Sequence, residues 1–148
     1  MRQFRRISVP QGTSWAGSAI RTVAVIGDSS GVSDLATYLP VGWRITSHGR
    51  FDSFAYEPDV IVLIDGSAAD VRERCARFGD VPVVCTISPE APASEAVAVL
   101  RAGADACVRS QGPLVLGAHI RACQRRRQMR SLGAPTAISA LSGTGAIA

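Results

Sequence analysis

The chain has 148 residues, 47% of them hydrophobic, and a formal net charge of +4. This length favours a single domain with a real core, and no stretch approaches the roughly 18 consecutive apolar residues of a membrane span. The Arg-rich start leads into Pro, Gln, Gly and Ser instead of the apolar core of a signal peptide, so we expect a cytoplasmic protein.

Every basic residue in the chain is Arg, and the charges are unevenly distributed. Residues 1–20 and 121–148 together contain eight Arg and no acidic residue. Residues 21–120 contain the other eight Arg and all twelve Asp and Glu, which gives this middle part a net charge of −4. We therefore expect an acidic body with basic ends, and such basic ends are typical of proteins with anionic partners.

Four cysteines, Cys75, Cys85, Cys107 and Cys123, lie inside apolar patterns without CxxC spacing. This pattern predicts buried, reduced thiols, with neither a disulfide framework nor a zinc site. His119 and Cys123 are four residues apart in a helical pattern, but two ligands do not make a zinc site.

Short β-branched runs alternate with helical patterns between two terminal tails. The tails, 1–20 and 129–148, are rich in small and polar residues and are predicted to be flexible. Five strands are predicted, at 22–26, 43–46, 60–64, 81–86 and 106–108. The third run is apolar throughout, as in a central parallel strand that is covered on both faces.

The helices are marked by capping and periodicity. Ser67 followed by Asp70 predicts a capping box, after which Val71, Cys75 and Phe78 fall on one face. A second helix is predicted at 94–101. Its Val97 and Leu100 are expected to face inward.

A third helix is predicted to begin near Pro113 and to bury Leu116, Ile120 and Cys123. Its outward residues are expected to be Arg121, Gln124, Arg125 and Gln128. The intervals 31–39 and 51–56 leave room only for short or partly lost early helices. The alternation predicts an α/β domain over 21–128, a five-stranded parallel sheet doubly wound with helices.

Over 21–128 the chain resembles a response-regulator receiver (CheY-like) domain, with flavodoxin-like topology. Four blocks carry the resemblance: Val25-Ile26-Gly27-Asp28, Pro58-Asp59 leading to Asp65, Val81-Pro82-Val83-Val84, and Leu100-Arg101-Ala102-Gly103-Ala104-Asp105. In receivers the corresponding strand ends hold an acidic pair for Mg²⁺, a phosphoacceptor Asp, a Thr or Ser, and a Lys. This location agrees with ligand binding beyond the carboxyl ends of parallel strands.

The resemblance implies a damaged site in this chain. Gly27 stands at one of the two acidic positions, which leaves Asp28 alone. Asp65 follows the third strand where the phosphoacceptor belongs, but one residue further from Pro58-Asp59 than the family pattern has it. Because the side chains of a strand alternate between its two faces, a shift of one residue directs Asp65 to the wrong face of the sheet unless the preceding loop accommodates the extra residue.

The remaining positions also depart from the family pattern. Thr86 or Ser88 stands at the hydroxyl position, and counting back from the Ala-Gly-Ala segment favours Ser88. The same count places Ser110 where the family has Lys, and only Arg109 lies near enough to substitute for it. We therefore expect no cofactor; Mg²⁺ on Asp28 and Asp65 is implied only if the site still works.

The third helix also carries a run of basic residues: Arg121, Arg125, Arg126, Arg127 and Arg130. Such a run is often a solvated face, but it also suits nucleic acid, an acidic protein surface or anionic lipid. Because no aromatic residue is interleaved with these Arg, nucleic-acid binding here is expected to use phosphate contacts.

Gly27-Asp28-Ser29 is also similar to the first block of GDSL-type hydrolases, but the chain has no Asn for an oxyanion hole and no Asp-x-x-His. We therefore expect a stand-alone pseudo-receiver that is not an enzyme. It would act as a regulatory module, independently of phosphorylation, binding a protein partner or a second copy through the last helix and last strand. A working phosphoreceiver using Asp65 is the alternative, and a sequence-independent nucleic-acid binder is the third.

Overall fold

Five parallel strands form the centre of the molecule. The computed structural model describes residues 20–49, 54, 56–109 and 112–133. The strands are β1 (Arg21–Ile26), β2 (Trp43–His48), β3 (Val60–Leu63), β4 (Val83–Thr86) and β5 (Ala106–Val108). Their spatial order is β2-β1-β3-β4-β5, and every neighbouring pair is parallel. The predicted doubly wound α/β sheet is confirmed, with β3 buried along its whole length.

Helices cover both faces of this sheet. On one face lie a 3-10 helix (Ser30–Tyr38) and α3 (Pro113–Leu132), which enclose a core of strand residues with Leu35, Leu116 and Ile120. On the other face α1 (Ala68–Arg77) and α2 (Ala93–Arg101) cover a second core that includes Val71 and Val99. Both cores contain β3 residues, because successive strand side chains alternate between the two faces.

The early helices are reduced, as predicted. The 3-10 helix is interrupted by non-helical backbone at Val32. Between β2 and β3, residues 49, 54 and 56–59 are not helical. Phe54 instead stacks on Phe78 with ring centroids 5.3 Å apart and lies 4.4 Å from the His48 ring. One aromatic side chain therefore covers part of the sheet on this side.

The capping box at the start of α1 is confirmed. The Ser67 hydroxyl accepts a hydrogen bond from the Asp70 amide, and the Asp70 carboxylate accepts one from the Ser67 amide. Two amides that the helix leaves without internal partners are thereby satisfied.

The inward face predicted for α2 is wrong. Val97 and Leu100 are 44% and 47% exposed, whereas Val99 is completely buried. Ala96 is also packed against the core, and residues three apart lie on one side of a helix. The small Ala96 and Val99 therefore contact the sheet, and the larger apolar side chains face outward.

α3 buries Leu116, Ile120 and Cys123 as predicted, but the outward position predicted for Gln124 is wrong. Gln124 is only 5% exposed because it continues the four-residue spacing of Leu116 and Ile120. The helix reaches Leu132, four residues beyond the predicted end of the domain. The predicted flexible arm up to residue 19 and the tail from residue 134 lie outside the described residues.

All four cysteines are free; Cys85 and Cys123 are buried, while Cys75 and Cys107 are half-buried. Burial raises the pKa of each thiol, and that of Cys85 rises to about 12. Among the described helices, none has the length and apolar character needed to span a membrane.

Candidate functional site at the carboxyl ends of the strands

The carboxyl end of β1 presents Gly27 and Asp28. Gly27 has φ +110°, and a Cβ there would lie 3.0 Å from the Ile64 carbonyl oxygen. Its amide donates a hydrogen bond to the His48 carbonyl at 3.1 Å. Asp28 accepts a hydrogen bond from the Ser30 amide at 3.0 Å, and the hydrogen bonds from Ser30 lower the pKa of Asp28. Any side chain at position 27, including an acidic one, is therefore strained.

Asp65 follows β3 in a turn and is exposed. Its φ of +49° is the left-handed conformation that most side chains avoid. The Asp65 amide donates a hydrogen bond to Thr86 Oγ1 at 3.0 Å. Asp65 therefore lies in a turn after β3, and its backbone is joined to the Thr86 side chain at the carboxyl end of the sheet.

Ser88 and Arg109 bind the loop that follows β4. Ser88 Oγ donates a hydrogen bond to Glu90 Oε2 at 2.6 Å, and this bond lowers the pKa of Glu90. Arg109 Nη1 donates to the Ala91 carbonyl and also contacts the Pro89 carbonyl at 3.5 Å. Both side chains therefore contact the loop itself; Ser110 lies outside the described residues.

The donor set at this edge has fewer carboxylates than the magnesium site that the resemblance implies. Only Asp28 and Asp65 supply carboxylates at the predicted positions, and one Asp28 oxygen already accepts the Ser30 amide. No group of three or more His, Cys, Asp or Glu suited to a metal occurs among the described residues. This finding also covers His119 and Cys123, whose thiol belongs to the core beneath α3.

The residues of the hydrolase interpretation have other partners. Ser29 Oγ accepts a hydrogen bond from Ser47 Oγ at 3.4 Å. His48 Nε2 is hydrogen-bonded to Thr46 Oγ1 at 2.9 Å, and Thr46 Oγ1 also contacts the Tyr56 hydroxyl at 2.6 Å. Ser29 and His48 therefore belong to separate hydrogen-bonded groups.

Two acidic residues of the family-like blocks have structural contacts at the opposite end of the sheet. Asp59 Oδ2 accepts the Thr22 amide at 2.8 Å, and the Asp59 amide donates to the Thr22 carbonyl. Asp105 forms the same pair of bonds with Val83, whose amide lies 2.9 Å from Asp105 Oδ2. Each Asp aligns the start of one strand with its neighbour. In the sequence, each of these Asp residues stands directly before a strand, β3 or β5. This shared position is the feature from which their structural role could be predicted.

The five Arg of α3 have unequal surroundings. Arg121, Arg125, Arg126 and Arg130 are exposed, whereas Arg127 is half-buried. Arg127 donates to the Asp59 carbonyl at 3.2 Å and forms an ion pair with Glu57 at 3.5 Å. Arg127, one of the five Arg of the predicted partner or nucleic-acid face, therefore joins α3 to the loop before β3.

Several solved structures of response regulators and their receiver domains are similar in fold to this chain. An orphan response regulator of H. pylori, HP1043, matches with a TM-score of 0.58 and 19% identity, over 71% of this chain and 97% of that chain. A response regulator receiver domain protein from Clostridium thermocellum matches with a TM-score of 0.61 and 14% identity, over 74% and 98%. A CheY-like receiver domain protein from Methanospirillum hungatei has a TM-score of 0.60 and 12% identity, over 76% and 99%.

The chain has the fold of a response-regulator receiver domain. No protein-family model and no curated protein matches the sequence. At these identities the likeness concerns the receiver fold alone, and the chemistry of this chain depends on the residues at the two ends of its sheet.

Proposed function

We propose that the protein is a regulatory pseudo-receiver of the cytoplasm that acts by binding a protein partner or a second copy, without phosphorylation and without catalysis. The backbone conformation and close surroundings of Gly27 are the main support for this proposal. Its φ is +110°, and the Ile64 carbonyl oxygen lies 3.0 Å from where a Cβ would stand, so the position disfavours the second carboxylate of a receiver's acidic pair. A phosphoryl group would then lack the metal that neutralises its developing charge.

The missing Lys supports the same proposal. The chain contains no Lys, and the Arg109 guanidinium contacts the carbonyls of Pro89 and Ala91. Its planar group is also not equivalent to the ammonium of Lys. Transfer of a phosphoryl group to Asp65 would therefore proceed without the ammonium group of the family's Lys.

The surface around β5 supports binding. β5 is an edge strand, and α2 and α3 flank it on opposite faces of the sheet. Exposed apolar side chains lie on α2, at Val97 and Leu100, and in the first turn of α3, at Leu114 and Val115. Exposed apolar groups near an open strand edge are typical of protein interfaces.

The phosphorylation part is tested by incubating the protein with Mg²⁺ and a small phosphodonor, with the intact mass as the measurement. We expect no added phosphoryl group. A phosphoryl adduct that is lost in Asp65→Ala would overturn the proposal. It would favour the alternative of a working receiver, in which Asp65 is the acceptor beside Thr86.

The binding part is tested by sedimentation at increasing protein concentration. Leu100→Asp is expected to abolish self-association, because it places a charge on the exposed apolar surface of α2. Met129→Asp is the matched control, since Met129 is 72% exposed near the far end of α3. Self-association that both variants weaken equally would contradict an interface at α2 and β5.

A further inference from the structure

A groove lies between α3 and the amino-terminal ends of β1 and β2. It consists of two adjoining hollows of about 290 and 510 Å³ that share Arg21, Gln124 and Gln128 in their walls. The smaller hollow is also lined by Trp43, Arg121 and Arg125. These six residues define what we call the basic groove. It lies at the opposite end of the sheet from Asp28 and Asp65.

The parallel sheet brings an aromatic ring to the basic helix. Arg21 and Trp43 are register partners at the first positions of β1 and β2, so their side chains leave the sheet on the same face. Trp43 is half-buried and packs against the core beneath α3. The aromatic residue that the sequence of α3 lacks is therefore supplied by β2.

Gln124 provides a hydrogen-bond acceptor without a donor. Its side chain is 5% exposed and borders both hollows, and its Oε1 atom has no hydrogen-bond partner among the described residues. A buried carbonyl without a partner costs free energy, so such groups in native proteins call for an explanation. This oxygen is closed to solvent, so a ligand N–H in the groove would reach and satisfy it through a shift of the Gln124 side chain.

The groove is also positively charged. Arg121 and Arg125 are exposed, and neither forms an ion pair within the described part of the chain. Arg21 has one distant partner, the Asp59 carboxylate at 3.8 Å. Guanidinium groups bind phosphate through paired hydrogen bonds, so an anionic group is expected beside the Trp43 ring.

We propose that the basic groove binds a nucleotide whose base carries an exocyclic amine, because one hollow is lined by the Trp43 ring, by Gln124 with its unpartnered carbonyl, and by two guanidinium groups without ion pairs among the described residues. The base stacks on Trp43, its amine donates to Gln124 Oε1, and the phosphate contacts Arg121 and Arg125. An acidic protein surface would pair with the Arg but would leave the Gln124 oxygen unsatisfied. This site is independent of the interface proposed at β5.

Isothermal titration at low salt with adenosine monophosphate and inosine monophosphate tests the proposal, because these nucleotides differ at the amine. We expect the adenosine nucleotide to bind at least about fivefold more tightly, as one lost base contact implies. Short oligo(dA) distinguishes the two sources of this ligand. Much tighter binding of oligo(dA) assigns the site to single-stranded nucleic acid, and equal binding assigns it to free nucleotide.

Four variants test which residues form the binding site. Gln124→Met should abolish the difference between the two nucleotides and keep the fold, because it removes the unpaired carbonyl while conserving volume. Arg125→Gln should weaken both nucleotides equally. Arg126→Gln is the matched control, since Arg126 is on the same helix but lines a different cavity with Asp105 and Cys123. Trp43→Phe should retain binding.

Three results would overturn the proposal. The first is the absence of binding by either nucleotide and by oligo(dA). The second is equal affinity of the unaltered protein for the two nucleotides, or for pyrophosphate and the adenosine nucleotide, which would indicate an anion site without base recognition. The third is binding that Arg126→Gln abolishes and Arg125→Gln leaves intact.

Discussion

The two ends of the parallel sheet hold different polar groups within the described part of the protein. At the carboxyl end, Asp28 accepts the Ser30 amide, Thr86 accepts the Asp65 amide and Arg109 contacts loop carbonyls. At the amino end, Asp59 and Asp105 also bind backbone amides. The groove beside them nevertheless contains the unpartnered Gln124 oxygen and the unpaired Arg121 and Arg125.

This difference indicates that the receiver fold can be kept while the side chains at its usual ligand position change. The receiver sheet depends on buried strands and backbone hydrogen bonds, and these are intact from β1 to β5. Ligand chemistry depends on a few side chains at a strand end, which the sheet does not specify. The usual rule places ligands at the carboxyl ends of the strands, whereas the nucleotide site proposed here lies at the amino ends.

The largest expected effect concerns thiol reactivity at the carboxyl end. Cys85 is buried and contacts the Gly66 carbonyl at 3.4 Å, and burial raises the pKa of Cys85 from 9.0 to about 12. At neutral pH its thiolate fraction is then roughly a thousandfold below that of an ordinary thiol. Alkylation of the native protein, followed by peptide mass spectrometry, should modify half-buried Cys75 long before Cys85.

The same shift has a consequence for stability at high pH. Above about pH 9 the Cys85 thiol ionises in the unfolded chain but stays protonated in the folded one. Stability is therefore complete below that pH and falls as the pH rises towards about 12. Alkylation of Cys85 as fast as that of Cys75 would contradict the burial of Cys85.

The next largest effect tests the backbone at Gly27. Gly27→Ala should lower the free energy of unfolding by about 2–3 kcal/mol, because it combines a positive φ with contact to the Ile64 carbonyl. Gly42→Ala is the matched control, since Gly42 has φ +90° with no atom within 4 Å of a Cβ. It should cost about 1 kcal/mol in denaturant unfolding. Equal losses would remove the steric argument against an acid at position 27.

At the amino end, Asp105→Ala should cost about 1–3 kcal/mol, because it leaves the buried Val83 amide without an acceptor. Asp105→Asn keeps an oxygen at that place and should cost less than half as much. Denaturant unfolding of both variants measures the difference. Equal costs would mean that charge, and not the hydrogen bond to Val83, is what Asp105 contributes.

Much of this fold can be predicted from the sequence, because the deciding signals are local. Short runs of β-branched or other apolar residues mark the strands, and Ser67 with Asp70 marks the start of α1. The inward faces of the helices are harder to predict. Val97 and Leu100 are more apolar than Ala96, yet close packing on the sheet selects the small Ala96 with Val99.

The candidate sites can be predicted less well, because they depend on contacts between distant residues. The sequence indicates Asp65 at the end of β3, but its left-handed turn follows from packing after the strand. The position of Trp43 beside α3 requires the strand order, since the two are about eighty residues apart. No local pattern in the sequence indicates such a meeting.

The smallest expected effect separates two Arg of α3. Arg127→Gln should cost about 0.5–1 kcal/mol, because it removes a hydrogen bond to the Asp59 carbonyl and a partly exposed ion pair with Glu57. Arg125→Gln, two residues earlier, should change stability by less than about 0.3 kcal/mol, since outward side chains contribute little. Unfolding of the two variants in one buffer measures the contrast. A larger loss for Arg125→Gln would mean that this guanidinium stabilises the domain, and its exposure at the basic groove would then need an explanation other than ligand binding.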